Sequence, residues 1–135
     1  MTDAPAPLDP QLVQAFVSSA HGDLDAVRGL LGEEPRLVNS VWDWGGGDWE
    51  SGLGAAAHMG SRDIALYLME NGARIDLFAA VMLGHIDVVS AVLARFPEMR
   101  EAKGPHGIPL IEHARAGGEH ATEVLALLEG SEVRA

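Results

Sequence analysis

Apolar residues recur at helical spacing in four stretches of the chain: 20–31, 58–76, 82–97 and 114–130. In the first three, a glycine and a polar residue precede the apolar positions. Aligning these copies on Gly22, Gly60 and Gly84 brings apolar residues into register, namely Val27, Ala65 and Val89 at one offset and Leu31, Met69 and Leu93 at another. The fourth copy is longer by about two residues after Gly117. This periodicity predicts four amphipathic helices.

A short segment rich in alanine and other small residues precedes each of these glycines, at 15–21, 53–59, 77–83 and 111–116. Small side chains allow two helices to pack closely, and glycine adopts turn conformations that a Cβ atom disfavours. The predicted unit is therefore a short helix, a tight turn and a longer amphipathic helix. One such pair cannot bury its own apolar face, whereas a stack of four can.

The second copy, "SGLGAAAHMGSRDIALYLMENGARID" (51–76), resembles the ankyrin repeat. Ser51, Gly52, Leu53 and Gly54 take the places of the Thr-Pro-Leu-His start of that repeat, and Gly72-Ala73 matches its Gly-Ala ending. The fourth copy keeps Gly107, Pro109, Leu110 and Ala114 of the same pattern. The resemblance covers residues 9–130 and implies an all-α, ankyrin-like solenoid of about four helix-turn-helix repeats.

The domain is expected to span residues 9–130, between an arm at 1–8 that is expected to be disordered and a tail at 131–135. Asp9 followed by Pro10 predicts the start of the first helix, because an acidic N-cap and a proline in the first turn both favour helix initiation.

The spacing between equivalent glycines is uneven: 38 residues from Gly22 to Gly60, 24 from Gly60 to Gly84 and 33 from Gly84 to Gly117. Ankyrin repeats have a period of about 33 residues. The second junction is thus too short to contain the hairpin that normally joins two repeats. The first junction is too long, and it contains the stretch "VWDWGGGDWE" (41–50) with all three tryptophans of the chain.

This stretch predicts an extended Trp- and Gly-rich loop. Trp42 and Trp44 would face one side of an extended segment, and three consecutive glycines permit a tight reversal. The loop is either a finger that grips a partner or a plug that covers apolar surface left bare by the missing hairpin. If the loop acts as finger and plug at the same time, Trp49 is expected to anchor the loop and Trp42 to face the partner.

The resemblance implies a non-enzymatic protein-interaction module that binds through its concave face and this loop. The predicted contact residues are Trp42, Asp43, Trp44, Asp48, Trp49, Glu50, Arg74 and His106. Exposed tryptophan beside acidic residues would suit a basic protein or peptide through stacking and cation–π contacts.

A net charge of −11, from nine basic and twenty acidic residues, disfavours nucleic acid and anionic membranes as partners. No secretion signal or membrane-spanning run is present and cysteine is absent, so the expected location is cytoplasmic. The oligomeric state is left open between a monomer and a weak dimer in which the loop inserts into a second copy.

The six histidines are expected to be structural, with no metal and no cofactor. His106, His113 and His120 recur every seven residues, which is not the helical spacing of paired ligands, and His21, His58 and His85 adjoin turn glycines. Zinc is accordingly expected to leave the melting temperature unchanged.

Asp43, Asp48 and Glu50 stand among tryptophans, as they would in a sugar-binding platform or a glycosidase pair. Catalytic carboxylates must be held in position by rigid elements, and a loop with three consecutive glycines does not provide this. The common nucleophile, phosphate-loop and zinc-protease motifs are also absent. The chain is therefore not expected to be an enzyme. The alternative is binding of a small molecule or carbohydrate at the loop, with possible hydrolysis by its acids.

Overall fold

The computed structural model describes residues 4–133 and is mostly helical. Within these residues there are eight α-helices: α1 (Pro10–Ser19), α2 (Leu24–Glu33), α3 (Gly52–Met59), α4 (Arg62–Glu70), α5 (Leu77–Leu83), α6 (Ile86–Arg95), α7 (Leu110–Ala116) and α8 (Thr122–Val133). The strands β1 (Val41–Asp43) and β2 (Trp49–Ser51) form one antiparallel pair. Short 3₁₀ turns lie at Pro35–Asn39, Pro97–Glu101, Pro105–Gly107 and Gly118–Ala121. The prediction of a mainly α-helical chain is confirmed.

The helices pack as four successive pairs, each made of a helix and the next one along the chain. The first helices of the pairs also contact one another, from α1 to α3, from α3 to α5 and from α5 to α7. Side-chain caps define several helix starts. Asp9, for example, accepts a hydrogen bond from the Gln11 amide, with Pro10 in the first turn, as the sequence predicts.

The apolar core has two adjoining parts. The larger joins the first two helical pairs with α5 and contains Phe16, Val17, Leu37 and Leu53. The smaller joins α5 and α6 to α7 and α8. Leu8, within the arm predicted to be disordered, packs against the larger part. The polar segment predicted as a tail begins inside α8, which continues to Val133. Residues 1–3 of the arm and 134–135 of the tail lie outside the described residues.

None of the helices in residues 4–133 is both long and apolar enough to cross a membrane.

The four turn glycines do different things. Gly60 and Gly84 end α3 and α5 in the left-handed conformation, with φ of 68° and 80°, as predicted. Gly117 has φ of −72°, which any residue can adopt. Glycine is needed there for close packing, since a Cβ atom would lie 2.2 Å from the carbonyl oxygen of Met82. Gly22 lies in open space and shows neither constraint.

The short second junction brings the third and fourth helical pairs close to the second. Only residues 71–76 separate α4 from α5, and Asp76 caps α5 directly. As a result, α3 contacts both α5 and α7. A Cβ atom at Gly60 would lie 2.4 Å from the Ala116 carbonyl oxygen of α7, so the two helices meet without intervening side chains.

Replacing Gly84 with alanine should lower the free energy of unfolding by roughly 2–4 kcal/mol, since the new Cβ would lie 1.8 Å from the His120 carbonyl oxygen and the left-handed backbone adds strain. Gly72→Ala is the matched control, because Gly72 also has positive φ (97°) but stands in open space. It should cost only about 1 kcal/mol. Equal losses in urea unfolding would show that close approach of the chain at Gly84 does not matter.

His113 in α7 is completely buried. Its Nδ1 lies 2.9 Å from the Pro109 carbonyl oxygen, an acceptor, so Nδ1 carries the proton. The ring packs against Phe78 at 4.9 Å between centroids. Burial lowers the pKa of His113, and His58 lowers it further, whereas the Pro109 hydrogen bond, Asp76 and Glu112 oppose the shift.

His113 should therefore make stability depend on pH. Its folded pKa lies below the unfolded value, so its contribution is complete above about pH 6.5 and decreases as the pH falls, because the unfolded chain takes up the proton first. His113→Asn keeps a side-chain N–H donor but does not titrate. Its unfolding free energy should fall less between pH 7.5 and 5.5 than that of the wild type. If urea unfolding shows the same pH dependence of the unfolding free energy for the variant and the wild type, this role of His113 is contradicted.

Candidate functional site

The 41–50 stretch forms a short β-hairpin, here called the tryptophan hairpin (residues 41–51), as the sequence predicts. Trp42 pairs with Glu50, and Asp43 with Trp49. All three glycines of the turn have positive φ, which explains their use there. The Asp43 carboxylate accepts hydrogen bonds from the amides of Gly45 (2.8 Å) and Gly47 (3.0 Å) and so holds the turn.

The two faces of the hairpin have different environments. Trp42 packs against the larger core part, and its cross-strand partner Glu50 is completely buried. Val41 and Trp49 point to the other side and are 45% and 60% exposed. The expected roles of Trp42 and Trp49 are thus reversed: Trp42 anchors the hairpin and Trp49 faces outward. Alternation predicted two faces, but only the tertiary structure determines which of them meets the core.

Glu50 stands at the centre of a group of three histidines, here called the histidine cluster (His21, Glu50, His58 and His106). The Nε2 atoms of His21 and His106 lie 3.2 Å and 3.3 Å from Glu50 Oε1, and His58 Nε2 lies 2.9 Å from Oε2. Trp44 Nε1 donates a hydrogen bond of 2.8 Å to Oε1. Being completely buried, Glu50 cannot belong to the predicted surface for a partner.

Asp48 links the hairpin to the 102–109 loop, 58 residues further along the chain. Its Oδ1 accepts a hydrogen bond from the His106 amide, and its Oδ2 lies 2.7 Å from His106 Nδ1. His106 has φ of 62°, the one positive φ outside glycine among residues 4–133. This conformation is costly for a residue with a Cβ atom, so the Asp48 contacts must help to maintain it.

The charges of the cluster support one another. The hydrogen bond from the His106 amide is the main cause of the lowered pKa of Asp48. Burial raises the pKa of Glu50, but the close contact with His58 Nε2, the hydrogen bond from Trp44 Nε1 and the charges of His21 and His106 outweigh it, and the pKa is lowered. Burial lowers the pKa of His106, but Asp48 and Glu50 outweigh it, and this pKa is raised.

The four side chains of the histidine cluster also form the one group in residues 4–133 whose donor atoms could hold a metal ion together. One donor atom from each lies within 4.8 Å of the others. Sequence reasoning expected no metal and grouped the histidines by spacing. It missed this set because the members come from four separate segments and share no spacing. The remaining three histidines, His85, His113 and His120, lie outside the cluster.

A groove of about 410 Å³ runs between the tryptophan hairpin and the 102–109 loop. Val41, Trp49 and Phe78 supply apolar surface, while Asp48, Asp76 and Lys103 supply charge. Asp76 and Phe78 bring the start of α5 to the groove, directly after the short second junction.

Arg74, another predicted contact residue, lies exposed in the second junction. Its amide donates a hydrogen bond of 2.9 Å to Asn39 Oδ1, and Asn39 Nδ2 donates to the Gly72 carbonyl oxygen at 3.1 Å. These bonds fix the junction to the 3₁₀ turn before the tryptophan hairpin. The side chain of Arg74 does not line the groove.

No protein-family model and no curated protein matches this chain.

Trp42→Ala should lower the free energy of unfolding by about 2 kcal/mol, because the ring packs against the core. Trp49→Ala should change it by less than about 0.5–1 kcal/mol, since most of that ring is exposed. Urea unfolding of both variants compares them directly. A loss at Trp49 as large as that at Trp42 would contradict the assignment of the two faces.

Proposed function

We propose that this protein is a non-enzymatic interaction module of four ankyrin-like helical pairs, which binds a basic segment of another protein in the groove beside the tryptophan hairpin. The exposed ring of Trp49 at the edge of that groove carries the proposal. Large aromatic side chains are favoured as anchors of protein–protein contacts, and a ring face attracts arginine and lysine.

The ankyrin-like part of the proposal is supported by the sequence pattern of residues 51–76 and by the four successive helical pairs. In such a stack, hairpins between repeats stand beside the first helices. The tryptophan hairpin and the 102–109 loop occupy the first and third junctions, and the short second junction leaves the groove between them.

Charge favours a basic partner. The chain carries a net charge of −11, which would accelerate the approach of a cationic segment. Within the groove, Asp48 and Asp76 stand against one lysine, Lys103. Val41 and Phe78 provide apolar surface for the side chains that alternate with the basic ones.

The acids of the hairpin argue against a hydrolytic role. Asp43 holds the turn, Asp48 bonds His106, and Glu50 is buried among three histidines. A glycosidase pair needs two carboxylates that face the same substrate bond. Here each carboxylate is engaged by the protein itself.

Selection from a displayed library of random 12-residue peptides should enrich sequences rich in arginine and lysine. Trp49→Ala should weaken binding of the selected peptides at least about ten-fold, the loss of an anchor residue. Phe96→Ala is the matched control, because Phe96 is a similarly exposed aromatic residue (47%) that does not line the groove. Fluorescence polarisation of labelled peptides measures the affinity of both variants.

Selection of acidic peptides, or equal weakening by the Trp49 and Phe96 variants, would contradict the proposal. Titration with simple sugars, followed by tryptophan emission, examines the carbohydrate alternative in the same groove. Saturable binding of a sugar that Trp49→Ala abolishes, without any enriched peptide, would favour that alternative.

A further inference from the structure

While its rings are neutral, the histidine cluster contains an electrostatic conflict at Glu50. His21 Nδ1 lies 3.0 Å from the Val17 carbonyl oxygen and 3.1 Å from that of Ser18. Carbonyl oxygens only accept, so Nδ1 carries the proton. In the neutral ring, Nε2 then has a lone pair, yet it lies 3.2 Å from the carboxylate oxygen Glu50 Oε1.

His106 repeats this situation from another segment. Its Nδ1 faces the Asp48 carboxylate at 2.7 Å and is therefore also protonated. Its Nε2 lies 3.3 Å from the same oxygen of Glu50. Two nitrogen lone pairs against one carboxylate oxygen repel, unless each ring takes up a second proton or a cation lies between them.

Protonation of both rings is one way to remove this repulsion. The ring centroids of His21 and His106 are 6.4 Å apart, and His58 lies 5.1 Å and 5.3 Å from them, so several positive charges would be crowded around one carboxylate. One divalent cation would instead use the lone pairs of all three rings and the charge of Glu50 at the same time.

Two buried atoms lack partners where such an ion would lie. Glu50 Oε2 and His58 Nε2 are 2.9 Å apart, but their geometry is not that of a hydrogen bond, and neither has another partner. Buried polar atoms in native proteins are almost always satisfied, so an exception asks for an explanation.

The groups behind the cluster resemble the outer shell of a metal site. Metal-binding histidines commonly donate their other ring N–H to a carboxylate or a backbone carbonyl, which fixes the ring and its tautomer. His106 has Asp48 in this role, and His21 has Val17 and Ser18. Trp44 Nε1 orients the Glu50 carboxylate in the same way.

We propose that His21, Glu50, His58 and His106 form a binding site for one divalent first-row transition metal ion, with zinc as the reference ion. Three imidazole nitrogens and one carboxylate oxygen are the donors that zinc, cobalt, nickel and copper prefer, whereas calcium and magnesium prefer oxygen alone. With Zn–N and Zn–O distances of about 2.0–2.2 Å, tetrahedral donor atoms lie roughly 3.4 Å apart. The three distances to Glu50, from 2.9 to 3.3 Å, are close to this value, and the widest pair, 4.8 Å, would close by about 1.4 Å on binding.

The proposed ion would fasten the tryptophan hairpin to three other segments: the end of α1, α3 and the 102–109 loop. The site is distinct from the proposed peptide groove, since the groove's anchor Trp49 does not belong to the cluster; Asp48 borders both.

The test begins with the full chain, freed of metal by dialysis against a chelator and then titrated with zinc chloride. Calorimetry should show one zinc ion per chain. With free zinc at about a hundred times the dissociation constant, the melting temperature should rise by roughly 5–10 °C. Cobalt chloride should produce the intense visible absorption of a low-symmetry, four- or five-coordinate site, and added zinc should remove it.

His21→Gln and His106→Gln each remove one donor from a partly exposed position, and each should weaken zinc binding at least about ten-fold. His120→Gln is the matched control, since it removes an exposed histidine outside the cluster and should leave zinc affinity unchanged. Far-ultraviolet circular dichroism verifies folding. If either ligand variant does not fold, the other and the cobalt spectrum of the wild type still decide the question.

Two results would overturn the proposal. One is the absence of saturable zinc binding and of a thermal shift in the wild type. This would mean that protons on the histidine rings, without a metal ion, offset the charge of Glu50. The other is a thermal shift that both ligand variants retain, which would place the ion elsewhere on this acidic chain.

Discussion

The completely buried carboxylate of Glu50 imposes the main constraint on the junctions of this fold. A carboxylate withdrawn from water is unfavourable by several kcal/mol unless donors or positive charge surround it. The chain supplies these from the end of α1, from α3, from the 102–109 loop and from the hairpin itself. The position of Glu50 therefore ties together segments that are up to 85 residues apart in sequence, from His21 to His106.

The convergence on Glu50 depends on the short second junction. Without a hairpin between α4 and α5, α7 reaches α3, and the loop that precedes α7 lies against the start of α3. A Cβ atom at Gly54 would be in ordinary van der Waals contact with Pro105 (3.4 Å) and with the Glu50 side chain (3.8 Å), so both lie directly against the start of α3. The groove is bordered by the same segments, since Gly54 of α3, Asp76 before α5 and Pro105 of the 102–109 loop all line it.

Local features of the structure could be predicted from the sequence, whereas the long-range ones could not. The helical pairs follow from periodicity, the first helix start from Asp9 and Pro10, and the reversal at 45–47 from three glycines that all adopt positive φ. The cluster depends on how α3 packs against α7, which no spacing in the sequence encodes. The same holds for Trp42, whose side of the hairpin is predictable by alternation but whose contact with the core is a property of the packed structure.

The structure supports the plug on the inner face of the tryptophan hairpin, and the proposed binding of a partner belongs to its outer face. The inner face, with Trp42 and Glu50, is committed to the core and the cluster, while the outer face, with Val41 and Trp49, borders the groove. A two-stranded hairpin of this length is not stable alone in water, so its outer face can hold a fixed shape only because its inner face is anchored. The histidine cluster and the exposed Trp49 are therefore two parts of one arrangement. Order at the surface is therefore maintained by charge and hydrogen bonding beneath it.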